Sequence, residues 1–193
     1  FMGNSDKIKI FLSRPNPFTE NQDFFIDEIV SLLKRHNFEC ITLQAAEYTP
    51  YEVMVSLREM IQRSYGMVIL AVGQTYISEG IRKKDAEDNP RFFESKEIHL
   101  ENKWITSVYC QIEGILALTF DLPILTIPQE KLTREGILHQ GEYSITSPEF
   151  TLDSKEKILQ FVESSEFRKS FDKWKQMVIE KYEFIKGGEL GYK

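Results

Sequence analysis

Glu113 is the acidic residue of this chain with the best setting for chemistry. It lies in a run of helical composition that starts near Trp104 and includes Tyr109, and an apolar run of strand length, residues 123–127, begins ten residues later. Its carboxylate is therefore one helical turn from an aromatic ring and close to the strand end, where open α/β sheets bind ligands. We predict that Glu113 is the catalytic residue.

A second group of candidates follows the first predicted strand. Residues 7–12 alternate and then become apolar, as expected of a strand entering a parallel sheet. Ser13, Arg14 and Pro15 come directly after this run. These three residues are therefore expected at the carboxyl end of a strand, on the same edge of the sheet as Glu113.

Predicted strands and helices alternate over most of the chain. Thr19 and Gln22 form a capping box before a helical stripe that ends near residue 35, and a second stripe covers residues 53–64. The helix of Glu113 is expected to turn Ile112, Ile115, Leu116 and Thr119 inward. Further strands are predicted at residues 38–43, 66–72 and 123–127, with a short edge strand near residues 143–145. Parallel neighbours require crossovers, so this alternation predicts an α/β fold with a mainly parallel central sheet of four or five strands between two helical layers.

Two segments fall outside this alternation. Residues 80–103 are rich in charge with little apolar periodicity, and we predict a polar insertion there. Aromatic residues recur at helical spacing from Phe167 to Tyr182, which predicts one or two C-terminal helices. We therefore divide the chain into an α/β domain, residues 1–150, and a helical extension, residues 151–193, packed on that domain or on a partner.

Composition excludes several classes of function. The 193 residues carry a net charge of −6 spread along the chain, so we expect neither nucleic acid nor a membrane as partner. Cys40 and Cys110 are isolated, and the three histidines are scattered, so we predict reduced thiols, a cytoplasmic location and no metal site. No run approaches the roughly 20 apolar residues of a membrane-spanning helix.

Several motifs, in order along the chain, resemble those of TIR domains, the flavodoxin-like modules of innate-immune receptors and bacterial NAD-consuming enzymes. Residues 10–14 (IFLSR) are similar to the family's first-strand signature, and residues 61–78 to its helix–strand unit around the third strand. Residues 107–113 (SVYCQIE) resemble its Ser-x-Trp-Cys-x-x-Glu motif, with Tyr109 at the Trp position. The resemblance covers about residues 7–128 and implies a flavodoxin-like fold.

The resemblance implies cleavage of the nicotinamide–ribose bond of NAD, by hydrolysis or by cyclisation to a signalling nucleotide in bacterial antiphage defence. NAD or a related nucleotide is then the substrate and no cofactor is needed. The family's Glu, here Glu113, engages the ribose and stabilises positive charge on the breaking sugar. The implied substrate-binding residues are Ser13, Arg14, Pro15, Trp104, Ser107 and Tyr109. The family also implies a homo-oligomer or an effector protein as partner.

Two other functions fit the same residues. Residues 113–117 (EGILA) partly match the Glu-x-Gly-x-Ala spacing of nucleoside 2-deoxyribosyltransferases, in which the Glu attacks the sugar as a nucleophile. Many TIR domains are instead assembly modules without turnover, and fold alone does not separate these functions.

Each candidate also has a purely structural explanation. Glu113 could be a solvated helix residue, Arg14 could form an ion pair, and Ser107 could be a helix N-cap. Tyr109 and Trp104 could serve as core or lid packing.

Overall fold

Strands and helices alternate along the chain as the sequence predicts. The structure is a computed structural model and describes residues 7–43, 50–93, 95–139, 141 and 144–190. The strands in this part of the chain are β1 (Ile8–Ser13), β2 (Phe38–Ile41), β3 (Gly66–Ala71), β4 (Gly73–Arg82), β5 (Ile98–Thr106), β6 (Ile124–Pro128) and β7 (Ile145–Thr146). The α-helices are α1 (Glu20–Arg35), α2 (Pro50–Gln62), α3 (Val108–Thr119), α4 (Lys155–Glu163) and α5 (Ser165–Leu190).

Five strands form one parallel sheet in the order β2-β1-β3-β6-β7. This order is that of flavodoxin-like folds, in which the chain reverses its direction of travel across the sheet between β1 and β3. All six residues of the central strand β3 are buried, as expected for a strand covered on both faces. The predicted α/β fold is confirmed. The predicted edge strand corresponds to β7, although Tyr143 lies outside the described residues.

The helices cover the sheet in two layers with separate apolar cores. Alternate residues of β1 point to opposite faces, so that Ile10 and Leu12 join the core under α1, α4 and α5. Phe11 joins the core under α2 and α3, and Ser13 continues its alternation. Because Phe11 and Ser13 lie on the same face of β1, the hydroxyl of Ser13 points toward the layer that contains α3.

The first helix is fixed at its start by the predicted capping residues. Thr19 is the N-cap and accepts a hydrogen bond from the backbone N–H of Gln22 at 3.2 Å. The side chain of Gln22 accepts one from the backbone N–H of Phe18 at 2.9 Å. This arrangement satisfies donors that the helix itself leaves open and holds the loop after β1 against the start of α1.

The segment predicted as a polar insertion contains regular structure. Residues 80–103 include the end of β4 and most of β5, which pair as an antiparallel two-stranded hairpin. The sequence does not show the alternating apolar and polar pattern of a strand here, because both faces of the hairpin carry charged residues. The hairpin is tied to the domain at its base, where Trp104 pairs with Lys131 and Thr133 through backbone hydrogen bonds and Arg82 forms an ion pair with Glu135 at 2.5 Å.

The C-terminal helices belong to the same apolar core as α1. Phe167 and Trp174 of α5 are fully buried, and the indole N–H of Trp174 donates to the carbonyl oxygen of Pro123 at 3.0 Å. Pro123 directly precedes β6, so this bond joins α5 to the start of a sheet strand. No helix in the described part of the chain combines the length and the apolar composition needed to cross a membrane.

We expect that Trp174→Ala lowers the free energy of unfolding of the whole chain by about 3–5 kcal/mol, because it removes a fully buried indole from the core shared with the sheet. Urea unfolding followed by circular dichroism measures this loss, and Lys173→Ala on the exposed side of α5 is the matched control. Loss of α5 in a separate early transition, with the sheet unfolding at the wild-type midpoint, would contradict the shared core.

Candidate functional site

The candidate site lies at the carboxyl ends of β1 and β3. These neighbours connect to opposite sides of the sheet, so their loops diverge and leave a crevice, the usual ligand position in this fold. Ser13 is the last residue of β1, and Gly73 follows β3 after a single residue. The sequence therefore placed Ser13 correctly at this edge.

Helix α3 brings Glu113 to the same edge. Ser107 is its N-cap and accepts a hydrogen bond from the backbone N–H of Tyr109 at 3.2 Å. The inner face consists of residues three or four positions apart, which are Cys110, Glu113, Gly114 and Ala117.

The prediction that Ile112, Ile115 and Thr119 point inward is wrong, because Ile112 and Ile115 are 37% and 52% exposed and Thr119 is exposed as well. The reason is close packing: a Cβ at Gly114 would lie 2.6 Å from Ile137 and 3.1 Å from Ile69. Only the side of α3 with small residues can approach the sheet this closely.

Burial governs the charge state of Glu113. Its side chain is 7% exposed, which excludes the alternative of a solvated surface residue. Loss of hydration disfavours the ionised form and raises the pKa of Glu113 to about 7, while the nearby hydroxyl of Ser13 acts in the opposite direction. A carboxyl group with a pKa near neutrality can take up or release a proton during a reaction at physiological pH.

The hydroxyl of Ser13 lies close enough to this carboxyl group to affect its pKa. Ser13 is 1% exposed, and its Oγ has no hydrogen-bond partner of good geometry among the described residues, although it lies close enough to lower the pKa of both Glu113 and Cys110. An unsatisfied buried hydroxyl costs free energy. The O–H of Ser13 can therefore donate a hydrogen bond to a ligand or to the carboxyl group of Glu113.

The thiol of Cys110 contributes to the site only as a neutral group. Burial, followed by the charge of Glu113, raises the pKa of Cys110 to about 11, against the effect of the Ser13 hydroxyl. Cys110 therefore stays protonated at neutral pH and is a poor nucleophile. The only free thiols in the described chain are Cys40 and Cys110.

The structure separates the other predicted substrate-binding residues. Pro15 is buried and Arg14 is half-buried in the loop after β1, and no described residue forms an ion pair with Arg14. Ser107 serves as the N-cap, which is its structural explanation. Tyr109 lies one helical turn before Glu113 on α3 and is 59% exposed, so it is not part of the buried core.

Trp104 lies on β5, above the end of β3. Its indole packs on Gly73 so closely that a Cβ there would be 2.6 Å from two ring carbons. The indole also contacts the ring of Tyr76, with the two ring centroids 4.9 Å apart. Trp104 thus forms a wall at the carboxyl edge of the sheet.

Sequence analysis did not identify two buried glutamines at this edge as site residues. Gln129 accepts a hydrogen bond from the backbone N–H of Gly73 at 2.8 Å, and Gln22 donates to the carbonyl oxygen of Gly73 at 3.5 Å. Thr106 adds a bond from its hydroxyl to the carbonyl oxygen of Val72 at 2.7 Å. Gln129 lies two residues after the strand predicted at residues 123–127, and that position near a strand end could have identified it.

No group of three or more His, Cys, Asp or Glu side chains converges as a metal site within the described ranges.

Comparison with known proteins gives structural likenesses of low sequence identity. The chain is similar to a CMP N-glycosidase of Clostridium botulinum (13% identity, covering 79% of this chain and 95% of that chain, TM-score 0.46). It is also similar to a 2-deoxyribosyltransferase from Leishmania mexicana (13% identity, 82% and 99%, TM-score 0.42) and to a conserved protein from Enterococcus faecalis V583 (12% identity, 81% and 98%, TM-score 0.40). At these TM-scores the likenesses carry no argument about activity.

No family model matches the chain, so the resemblance to TIR domains has no support beyond the motifs that suggested it. No curated protein matches either.

We expect the stability of the wild type to fall relative to Glu113→Gln as pH rises from about 4.5 to about 7. Over this interval the folded protein retains a proton on Glu113 that the unfolded chain has released, so deprotonation favours unfolding. The difference reaches up to about 3 kcal/mol above neutrality, at about 1.4 kcal/mol per pKa unit. Urea unfolding of both proteins at about pH 5 and about pH 8 measures it. An unchanged difference between the two pH values would show that Glu113 titrates as a solvated carboxyl group.

Proposed function

We propose that the protein cleaves or transfers the N-glycosidic bond of a nucleoside or nucleotide, with Glu113 as the catalytic carboxylate. The observation that carries the proposal is the position of Glu113, a buried carboxyl group with a pKa near 7 beside the free hydroxyl of Ser13. Both groups lie at the edge where parallel sheets of this order bind ligands.

The chemistry follows from the charge that develops on the sugar. As the base leaves with the bonding electron pair, positive charge grows on the anomeric carbon and ring oxygen, and an ionised Glu113 stabilises that state more than the ground state. The carboxylate oxygen then bonds to the anomeric carbon as a glycosyl ester. Water or a second base then attacks the anomeric carbon, displaces Glu113 as a free carboxylate and loses a proton. An anionic departed base takes up a proton in turn, whereas nicotinamide leaves as a neutral molecule and needs none. The hydroxyl of Ser13 orients the carboxylate by donating to it.

Nicotinamide–ribose cleavage of NAD is one member of this reaction class. Arg14 supports a phosphate-bearing substrate, because it follows Ser13 and pairs with no described carboxylate, and its planar guanidinium suits phosphate oxygens. Nucleosides and nucleotides are the alternative substrates, which the names of the similar CMP N-glycosidase and 2-deoxyribosyltransferase suggest. A panel of substrates separates these possibilities.

We expect Glu113→Gln to lower base release by at least ~10²–10³, as observed when one fixed charge or donor is removed from an active site. Deoxynucleosides, ribonucleosides, nucleoside monophosphates and NAD are incubated with the purified protein, and free base is measured by chromatography. Glu163→Gln, the same change on the exposed surface of α4, is the matched control.

Release of any base by the wild type and the Glu163→Gln protein, but not by Glu113→Gln, supports the proposal. Equal rates in wild type and Glu113→Gln contradict it. No release from any substrate by a folded wild-type protein favours the alternative of a non-catalytic interaction module.

We expect kcat/KM for base release to rise with pH through about 7, because only the ionised Glu113 stabilises the sugar cation. Ser13→Ala shifts this rise to higher pH, since the Ser13 hydroxyl lowers the pKa of Glu113. The pH profile of kcat/KM for wild type, Ser13→Ala and the surface control Ser31→Ala measures the shift. A profile of Ser13→Ala that coincides with that of the wild type would exclude an orienting role for the hydroxyl.

The predicted homo-oligomer or effector partner is also proposed. Exposed apolar side chains on neighbouring helices support it: Tyr51 and Met54 on α2, and Val108 and Tyr109 on α3. A cytoplasmic role in antiphage signalling remains a proposal from the TIR resemblance.

A further inference from the structure

A cavity of about 300 Å³ lies at the carboxyl edge of the sheet, and none of its lining residues has a role in the steps proposed for Glu113. It opens between the start of α1, the residue that follows β6 and the segment before α4. The side chains that define its character are Gln22, Trp104, Gln129, Glu130 and Asp153. We infer that this cavity binds the planar, uncharged base of the substrate through a ring carbonyl.

The first support is an open hydrogen-bond donor. The backbone N–H of Gly73 donates to Oε1 of Gln129, and this bond fixes which end of the amide faces Gly73. The Nε2 group of Gln129 is left without an acceptor among the described residues. Gln129 is only 7% exposed and lines the cavity, so its side chain is held in place while the Nε2 group stays accessible. A carbonyl oxygen of the ligand can accept a hydrogen bond from it in place of water.

The second support is the aromatic wall. Trp104 is half-buried and lines the cavity, and its indole is held in place by contacts with Gly73 and the tilted ring of Tyr76. Such a ring loses little freedom when a flat ligand stacks on it. The amide of Gln22 is already bonded to Phe18 and to Gly73, so it shapes the cavity and leaves recognition to Gln129.

The third support is charge. No Lys or Arg side chain lines the cavity among the described residues, whereas the carboxylates of Glu130 and Asp153 do. Asp153 is paired with Lys157 at 2.5 Å, so the negative charge of the lining rests mainly on Glu130. An anionic group meets this charge without a cation in the lining, which favours an uncharged ring. This selects the base end of the substrate for the cavity and directs any phosphate elsewhere.

The identity of the ring rests on the proposed function, but the test needs no catalysis. The chain has two tryptophans, and Trp174 is fully buried, so quenching by a ligand in the cavity reports on Trp104. Uracil, an uncharged ring with carbonyl oxygens, is titrated into the whole protein. We expect quenching at roughly millimolar concentration or below. The signal is expected to be absent in Trp104→Phe, and orotate, the carboxylated ring, should bind at least about tenfold more weakly.

The deciding variant is Gln129→Glu. A carboxylate retains an acceptor for the N–H of Gly73 but replaces the free donor by a second acceptor. We expect uracil affinity to fall about tenfold or more, while Gln160→Glu on the exposed surface of α4 binds as the wild type does. Gly73→Ala, which displaces the indole without changing a lining side chain, should weaken binding as well.

Two results overturn the inference: no quenching by uracil in a folded protein, or equal affinity in wild type and Gln129→Glu. The outcomes also separate it from the proposed function. If uracil binds but no nucleoside or nucleotide is cleaved, the proposed function is contradicted while the base-binding role of the cavity is supported. If Glu113→Gln abolishes cleavage but Gln129→Glu leaves KM unchanged, the base-binding role of the cavity is contradicted while the proposed function is supported.

Discussion

Close contact between α3 and the central sheet is the constraint on which the site depends. Gly114 and Ala117 allow the helix to approach β3 and the short 3-10 turn Gly136–Leu138, and this approach carries Glu113 out of water. A larger residue at position 114 would separate the two surfaces. Desolvation then raises the pKa of Glu113 toward neutrality, so packing density and acid–base behaviour have the same origin.

The same contact leaves buried polar groups at the sheet edge. The hydroxyl of Ser13 is buried without a well-formed hydrogen bond, and the carboxyl group beside it is deprived of hydration. Both features cost folding free energy. Such costs are commonly retained where a ligand later satisfies the groups, which supports a role in binding and catalysis. The apolar cores on both sides of the sheet supply the stability that offsets them.

The continuation of β3 into the hairpin shapes the rest of this edge. Gly73 begins β4, and its two backbone groups are held by the side chains of Gln129 and Gln22. Because glycine has no Cβ, the indole of Trp104 can rest directly on it. The hairpin therefore returns an aromatic ring to the crevice while two amides fix the backbone beneath it.

Much of the architecture could be predicted from the sequence, because period and strand length are local properties. The parallel sheet, the Thr19 cap and the placement of Ser13 at a strand end all follow from such patterns. The inner face of α3 could not be predicted in this way. Its large apolar residues suggest that one side of the helix packs on the sheet, whereas its small residues suggest the other side. That choice depends on the close contact of Gly114 with Ile137, a residue distant in sequence. The open donor of Gln129 likewise depends on a tertiary bond to Gly73.

The most direct test of the catalytic role of Glu113 is to trap the sugar on the enzyme. A nucleoside analogue whose fluorinated sugar slows the second step is incubated with the protein, and the labelled peptide is identified by mass spectrometry. We predict that one glycosyl group is attached through an ester to Glu113. Release of the base with no covalent adduct at Glu113, or attachment to a different residue, would contradict it.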